Sequence, residues 1–131
     1  METYQMTKAG ALYNFWASFG LPAYEENSVY SFEEAPDFPY ITYELNTDAF
    51  SENVTALSCS LWYRSTSWVQ ANAKAEEISQ RIGYGGIVLK CDGGYIWLMR
   101  GSPFCKSMGD DSDDLIKRKY INISAYFFTA D

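Results

Sequence analysis

Two segments of the chain place apolar residues at helical spacing. The first, residues 7–19, carries Leu12, Phe15, Trp16 and Phe19, and it is followed by the stop residue Gly20. The second opens at Ser67, which forms a capping box with Gln70, and it ends at Gly83. Its apolar stripe comprises Trp68, Ala71, Ala75, Ile78 and Ile82. The pattern predicts two amphipathic helices.

Five further segments are predicted to be β-strands, and the first, second and last of them alternate inward and outward residues, which is typical of half-buried strands. They are residues 39–45, 54–64, 87–91, 95–100 and 118–128. The turn Asp92-Gly93-Gly94 joins the third and fourth as a hairpin, and a second turn is expected at residues 101–103. Residues 1–131 are therefore predicted to form one α+β domain, with an antiparallel or mixed sheet of about five strands and two helices in the order α-β-β-α-β-β-β.

The core face of each long strand follows from this alternation. The predicted inward residues are Ile41, Tyr43, Leu45, Leu57, Cys59, Leu61, Tyr63, Ile121, Ile123, Ala125 and Phe127. Aromatic residues make up 18% of the chain, and several lie opposite that core face. These are Trp62, Tyr95, Trp97, Tyr126 and Phe128. Two helices can cover only one face of a sheet, so we expect another copy of the chain to cover these aromatics.

Two polar stretches read as loops. Residues 23–37 are acidic and turn-rich, which predicts an exposed loop, and residues 106–117 predict a mobile one. The second contains the acidic residues Asp110, Asp111, Asp113 and Asp114. Counted from Asp110 as a calcium loop, the sixth and twelfth positions are Leu115 and Ile121, where glycine and glutamate are required. A solvated loop or a partner-binding loop is the preferred interpretation, and no metal site is assigned.

The net charge of −7 belongs to the first part of the chain. Residues 1–60 carry nine acidic groups and one basic group, whereas residues 61–131 sum to +1. Acidic surface repels phosphate, so we expect no specific binding of nucleic acid. Lys117, Arg118 and Lys119 form a small basic spot, which is interpreted as a solvated strand entrance. Alternatively, this spot meets the acidic half of a neighbouring copy in a head-to-tail ring.

Catalytic residue types are sparse. The chain has no histidine, which removes the commonest general base and transition-metal ligand. Its three cysteines, Cys59, Cys91 and Cys105, match no zinc or redox spacing and are expected to be reduced thiols in a cytosol. Neither a bilayer-length apolar run nor a signal peptide is recognised, so we expect a soluble protein that is not exported by a classical route. No catalytic residue or cofactor is assigned.

The order of elements and three stretches of the chain resemble tail terminator proteins of long-tailed bacteriophages. The stretches are Phe38-Pro39-Tyr40-Ile41-Thr42-Tyr43, Leu61-Trp62-Tyr63-Arg64-Ser65 and the final strand. The resemblance rests on arrangement and covers nearly the whole chain. It implies a non-enzymatic α+β subunit of the virion, assembled in the host cytoplasm, that forms a ring, commonly a hexamer. Such a ring caps the tail tube and presents a surface to the head connector.

Three other classes stay open. Another phage neck or head-completion protein would share the same features. A carbohydrate-binding module would use exposed tryptophan and tyrosine as stacking platforms, although the capped central helix and the missing secretion signal disfavour it. A small enzyme is the third class. The candidate partner-binding residues are the five outward aromatics and the four acidic residues of the second loop, and no membrane association is expected.

Overall fold

The structure is a computed structural model that describes residues 6–50 and 54–131. Its helices are α1 (Lys8–Ala17), α2 (Glu26–Val29) and α3 (Val69–Ile82). Its strands are β1 (Ala23–Glu25), β2 (Tyr40–Tyr43), β3 (Thr55–Arg64), β4 (Ile87–Cys91), β5 (Gly94–Gly109) and β6 (Ile116–Thr129). The strands form one sheet in the order β1-β2-β3-β6-β5-β4, in which β1 is parallel to β2 and the other pairs are antiparallel. The α+β class and the mixed sheet are confirmed.

The predicted counts of five strands and two helices are each one too low, because residues 23–37 are not simply a loop. Pairing with β2 recruits residues 23–25 as β1, and the N–H of Ile41 donates to the carbonyl of Pro22 at 2.8 Å. The four-residue helix α2 follows at once, and the Glu25 carboxylate caps it by accepting from the Ser28 N–H at 3.1 Å. Elements of three and four residues are too short to show a period in the sequence.

Strand β5 is much longer than predicted. It continues through the expected turn at residues 101–103 to Gly109, and its pairing with β6 is irregular between Arg100 and Cys105. Five residues of β5 advance there against two of β6, from Ile123 to Ile121, so three extra residues bulge out of the ladder. The predicted mobile loop at residues 106–117 is correspondingly reduced to residues 110–115.

Helix α3 begins one residue later than the capping box predicts. Trp68 occupies the N-cap position without a side-chain hydrogen bond, and the Ser67 hydroxyl accepts from the Val69 N–H at 3.1 Å instead. The pairing of Ser67 with Gln70 was therefore wrong. The C-terminal signal is confirmed, because Gly83 caps the helix with a φ of 73°, a conformation that favours glycine.

Helix α1 lies in the concavity of a curled sheet. It contacts both β1 and β4, which stand at opposite ends of the strand order, so the sheet curls until both of its edges meet one helix. Phe15 is the centre of the aromatic face, with ring centroids 4.9 Å from Trp16 and 5.2 Å from Phe19, both edge to face. Burial of this face holds the two edges together.

Helix α3 covers the middle of the same face, against β3, β5 and β6. The predicted inward residues of the strands are buried in one core with α1 and α3, except Leu45, which lies beyond the end of β2 and is only partly buried. The two helices are joined at the end of α1. The Arg81 guanidinium lies 4.7 Å from the Phe19 ring centroid, and the Lys74 ammonium donates to the Phe19 carbonyl at 2.8 Å.

Replacing Trp16 with alanine should destabilise the protein by about 3 to 5 kcal/mol, because the side chain is only 1% exposed and its removal leaves a cavity in the core. Urea denaturation followed by circular dichroism measures this loss. Tyr13→Ala on the same helix is the control; its ring is 47% exposed, so the change should stay within about 0.5 kcal/mol. A Trp16→Ala variant as stable as the control would contradict the packing described.

Candidate partner-binding face

The side of the sheet opposite α1 and α3 is here called the outer face. Side chains reach it from the strand positions that alternate with buried core residues, and all five predicted aromatics lie on it. They are Trp62, Tyr95, Trp97, Tyr126 and Phe128. None belongs to the core cluster, Tyr95 is 42% exposed, and the other four are partly buried. The outer face thus presents large apolar rings without cover from α1 or α3.

Four of these rings, with Phe50, form what we call the aromatic cluster. Cross-strand pairing sets Tyr95 against Phe128 with ring centroids 5.0 Å apart, and Trp97 against Tyr126 at 5.2 Å. Phe50 adds an edge-to-face contact with Phe128 at 5.9 Å. The indole N–H of Trp97 donates to the Gly85 carbonyl at 3.0 Å, which fixes its ring without help from a partner.

Trp62 stands apart from that cluster. It pairs with Arg118 across β3 and β6, eight residues along β6 from Tyr126, which corresponds to about 26 Å. Its ring stacks on Tyr40 with an interplanar angle of 14°, and its indole N–H donates to the Thr42 hydroxyl at 2.9 Å. The structure therefore divides the five predicted residues between two separate regions of one face.

The region around Trp62 contains what we call the Arg118 pocket, with a volume of about 270 Å³. Helix α2 forms one wall and the sheet forms the floor; the lining residues are Glu26, Val29, Tyr30, Tyr40, Thr42, Trp62 and Arg118. The Arg118 guanidinium lies 4.7 Å from the Trp62 ring centroid, and its Nε donates to the Ser60 hydroxyl at 3.0 Å. The pocket thus holds a cation in a fixed orientation against an aromatic surface.

Tyr40 was missed as a candidate in the sequence, and Arg118 was considered only as part of the basic spot, not as a residue of the aromatic face. The signal was present for Arg118, since it stands two residues before Tyr120 on a strand whose outward positions were identified. Tyr40 likewise precedes the outward residue Thr42 by two positions. Their approach to Trp62 depends on the pairing of β2, β3 and β6, which periodicity in a single strand does not encode.

The basic triplet does not form one patch. Because successive strand residues point to opposite faces, Arg118 lies on the outer face, whereas Lys117 and Lys119 flank Trp68 on the helix side at 5.8 and 5.7 Å from its ring centroid. Lys117 is buried and donates to the Asp114 carbonyl, so the predicted solvated strand entrance is wrong at this position. Only Arg118 brings positive charge to the outer face from this triplet.

The acidic residues of the 110–115 loop are used locally. The hydroxyl and then the N–H of Ser112 bind the Asp110 carboxylate and lower its pKa. At Asp113 the Leu115 N–H, followed by the Arg64 side chain, lowers the pKa in the same way. Asp111 and Asp114 are exposed. Within residues 6–50 and 54–131, no group of three or more acidic, histidine or cysteine side chains is arranged to hold a metal ion.

The three thiols have no activating environment. Burial raises the pKa of Cys59 well above its usual range, with a smaller contribution from Cys105, and burial is also the main cause of the raised pKa at Cys91 and Cys105. Cys59 and Cys105 both pair with Ile121, on either side of β6. Two ladder spacings of about 4.8 Å separate their strands, which is too far for a disulfide without displacement of the sheet. Protonated thiols are poor nucleophiles at neutral pH.

Comparison with protein-family models, with curated proteins and with solved structures finds no match for this chain. In the part of the chain that the structure describes, no helix is long and apolar enough to cross a membrane.

The loop contacts of Asp113 should be lost in acid. Because its pKa is lower in the folded protein than the ordinary value of 3.8, the contacts are complete above that value and are lost as the pH falls through the lowered one. The amide chemical shift of Leu115, followed by NMR, should titrate with a midpoint below 3.8. Asp113→Asn should abolish the titration and Asp111→Asn should retain it; the reverse result would refute the assignment.

Proposed function

We propose that this protein is a non-enzymatic assembly subunit whose outer face is covered by other copies of the chain in a homo-oligomeric ring. The observation that carries the proposal is the aromatic cluster, since α1 and α3 both pack on the opposite face of the sheet. Tyrosine and tryptophan supply large contact areas at low conformational cost and are enriched where proteins meet. Prearranged rings, such as Trp97 bound to Gly85, lose little freedom on association.

Within this class we propose the role of a tail terminator of a long-tailed bacteriophage or prophage. The protein would form a ring, which we expect to be a hexamer, cap the tail tube and join it to the head connector, so that its place is the tail or neck of the virion. The support is the resemblance in element order together with an uncovered sheet face. A neck or head-completion protein is the nearest alternative, because it needs the same kind of subunit contact.

A carbohydrate-binding module is the rival function that the aromatic cluster also supports. Sugar rings stack on exposed aromatic faces, and the rings of Tyr126 and Phe128 lie nearly parallel, at an interplanar angle of 14°. However, the rings of the cluster pack against one another, with centroids about 5 to 6 Å apart, so little open ring face remains for a sugar. A monomer that binds polysaccharide would favour this rival.

Tyr95→Glu should dissociate the oligomer, because it places a charge at the most exposed of the four strand residues in the aromatic cluster. Light scattering coupled to size exclusion measures the mass. The matched control is Tyr84→Glu, which makes the same change at a tyrosine that is 95% exposed and lies in the turn before β4. Wild type and Tyr84→Glu should both give a ring-sized mass, and an unchanged mass for Tyr95→Glu would contradict association through the aromatic cluster.

The tail role is tested with polymerising tail-tube protein. Addition of the purified protein should shorten the tubes and place rings at their ends, as seen by electron microscopy, and Tyr95→Glu should weaken both effects. Tubes of unchanged length without terminal rings would refute the terminator role. A ring-sized mass in the same preparation would still support an assembly subunit, and addition of connector protein would then test the neck alternative.

A further inference from the structure

Arg118 is a partly buried cation without a carboxylate partner among residues 6–50 and 54–131. Among the described residues, the ion pairs join Arg64 to Asp113 and Lys74 to Glu77. Glu26 lines the same pocket, yet it forms no ion pair with Arg118. The only hydrogen bond that the described residues receive from this guanidinium is the one from Nε to Ser60. A cation that is partly removed from water is stabilised when an anion pairs with it.

The terminal guanidinium nitrogens of Arg118 indicate which kind of anion fits the pocket. With Nε directed to Ser60, both terminal nitrogens remain, and this planar fork matches the two oxygens of a carboxylate. The Trp62 and Tyr120 rings, 4.7 and 5.4 Å from the guanidinium carbon, keep water from its sides. A volume of about 270 Å³ admits one side chain, and the chain's charge of −7 disfavours an extended polyanion such as nucleic acid.

We propose that the Arg118 pocket receives a glutamate from the segment Glu33-Glu34-Ala35-Pro36-Asp37 of a second copy of the chain. This inference rests on the proposed homo-oligomer and names the contact that fixes its geometry. Glu33, Glu34 and Asp37 are exposed and take part in none of the hydrogen bonds or ion pairs recorded for the described residues. These three carboxylates lie within five residues of one another, in the acidic first half of the chain.

The placement of the two surfaces suits a contact between copies. The acidic segment lies between α2 and β2, near the β1 edge of the sheet, whereas Arg118 lies on β6, two strands beyond β2. Each copy therefore offers a cationic pocket at one position and carboxylates at another. When such unlike surfaces meet repeatedly, the contact is head-to-tail and closes into a ring if the rotation allows it.

Charge reversal tests the contact. Arg118→Glu should weaken self-association by roughly 30-fold or more, the range expected when one member of a desolvated, hydrogen-bonded charge pair is lost. The double variant Glu33→Lys, Glu34→Lys should weaken it similarly, and combining all three substitutions should restore assembly. The control is Arg100→Glu, which reverses an exposed cation on the helix side of the sheet, where it hydrogen-bonds Ser79, away from the Arg118 pocket and from the aromatic cluster. Sedimentation velocity over a concentration series measures the constants, and circular dichroism checks the fold.

Two outcomes overturn the inference. If Arg118→Glu assembles as wild type does, or if the triple variant fails to recover, the proposed pairing is wrong. If Arg118→Glu does not fold, the double variant Glu33→Lys, Glu34→Lys still tests the pairing, because both glutamates are exposed. Normal assembly of this double variant would by itself refute the pairing. Dissociation by Tyr95→Glu would leave the proposed function standing in each case, whereas a monomeric wild type would refute that function itself.

Discussion

Burial of the aromatic face of α1 is the interaction on which the rest of the structure depends. A sheet of six strands has two edges whose backbone groups lack a neighbouring strand, and exposed edges invite unwanted pairing. Here both edge strands contact the same helix, so one set of side chains around Phe15 and Trp16 fills the core and shields the edges together. Curling of the sheet is the geometric result.

That arrangement decides where binding chemistry can lie. Once α1 and α3 occupy the inner face, the outer face receives only the four-residue helix α2, which lies at one end. The aromatic cluster and the Arg118 pocket consequently occupy different ends of β6. The aromatic cluster offers apolar area, which favours affinity, whereas the Arg118 pocket offers a fixed charge, which favours a defined orientation of the partner.

Much of this was accessible from the sequence, because alternation along a strand reports burial directly. Ile121, Ile123, Ala125 and Phe127 were placed inward, and Tyr126 and Phe128 outward, from periodicity alone. Short elements were not accessible, since β1 exists only through its pairing with β2. The extension of β5 was hidden by residues 101–103, which read as a turn although they form part of an irregular strand.

The approach of Arg118 to Tyr40 and Trp62 was also inaccessible, for a different reason. These residues come from β6, β2 and β3, and they meet because the registers of two strand pairs happen to align. The periodicity of a single strand does not predict either register. Composition could suggest that some cation meets some aromatic ring, but only the strand order indicates which ones.

The alternation of core and outward residues also fixes the register of β6. A shift of one residue against β3 would exchange Ile121 for Asn122 in the core and expose the isoleucines. It would also turn Arg118 toward the side of Trp68 and move Lys117 and Lys119 to the outer face. The register that the core selects is therefore the one that leaves a single cation of this triplet, Arg118, beside the aromatic rings of the outer face.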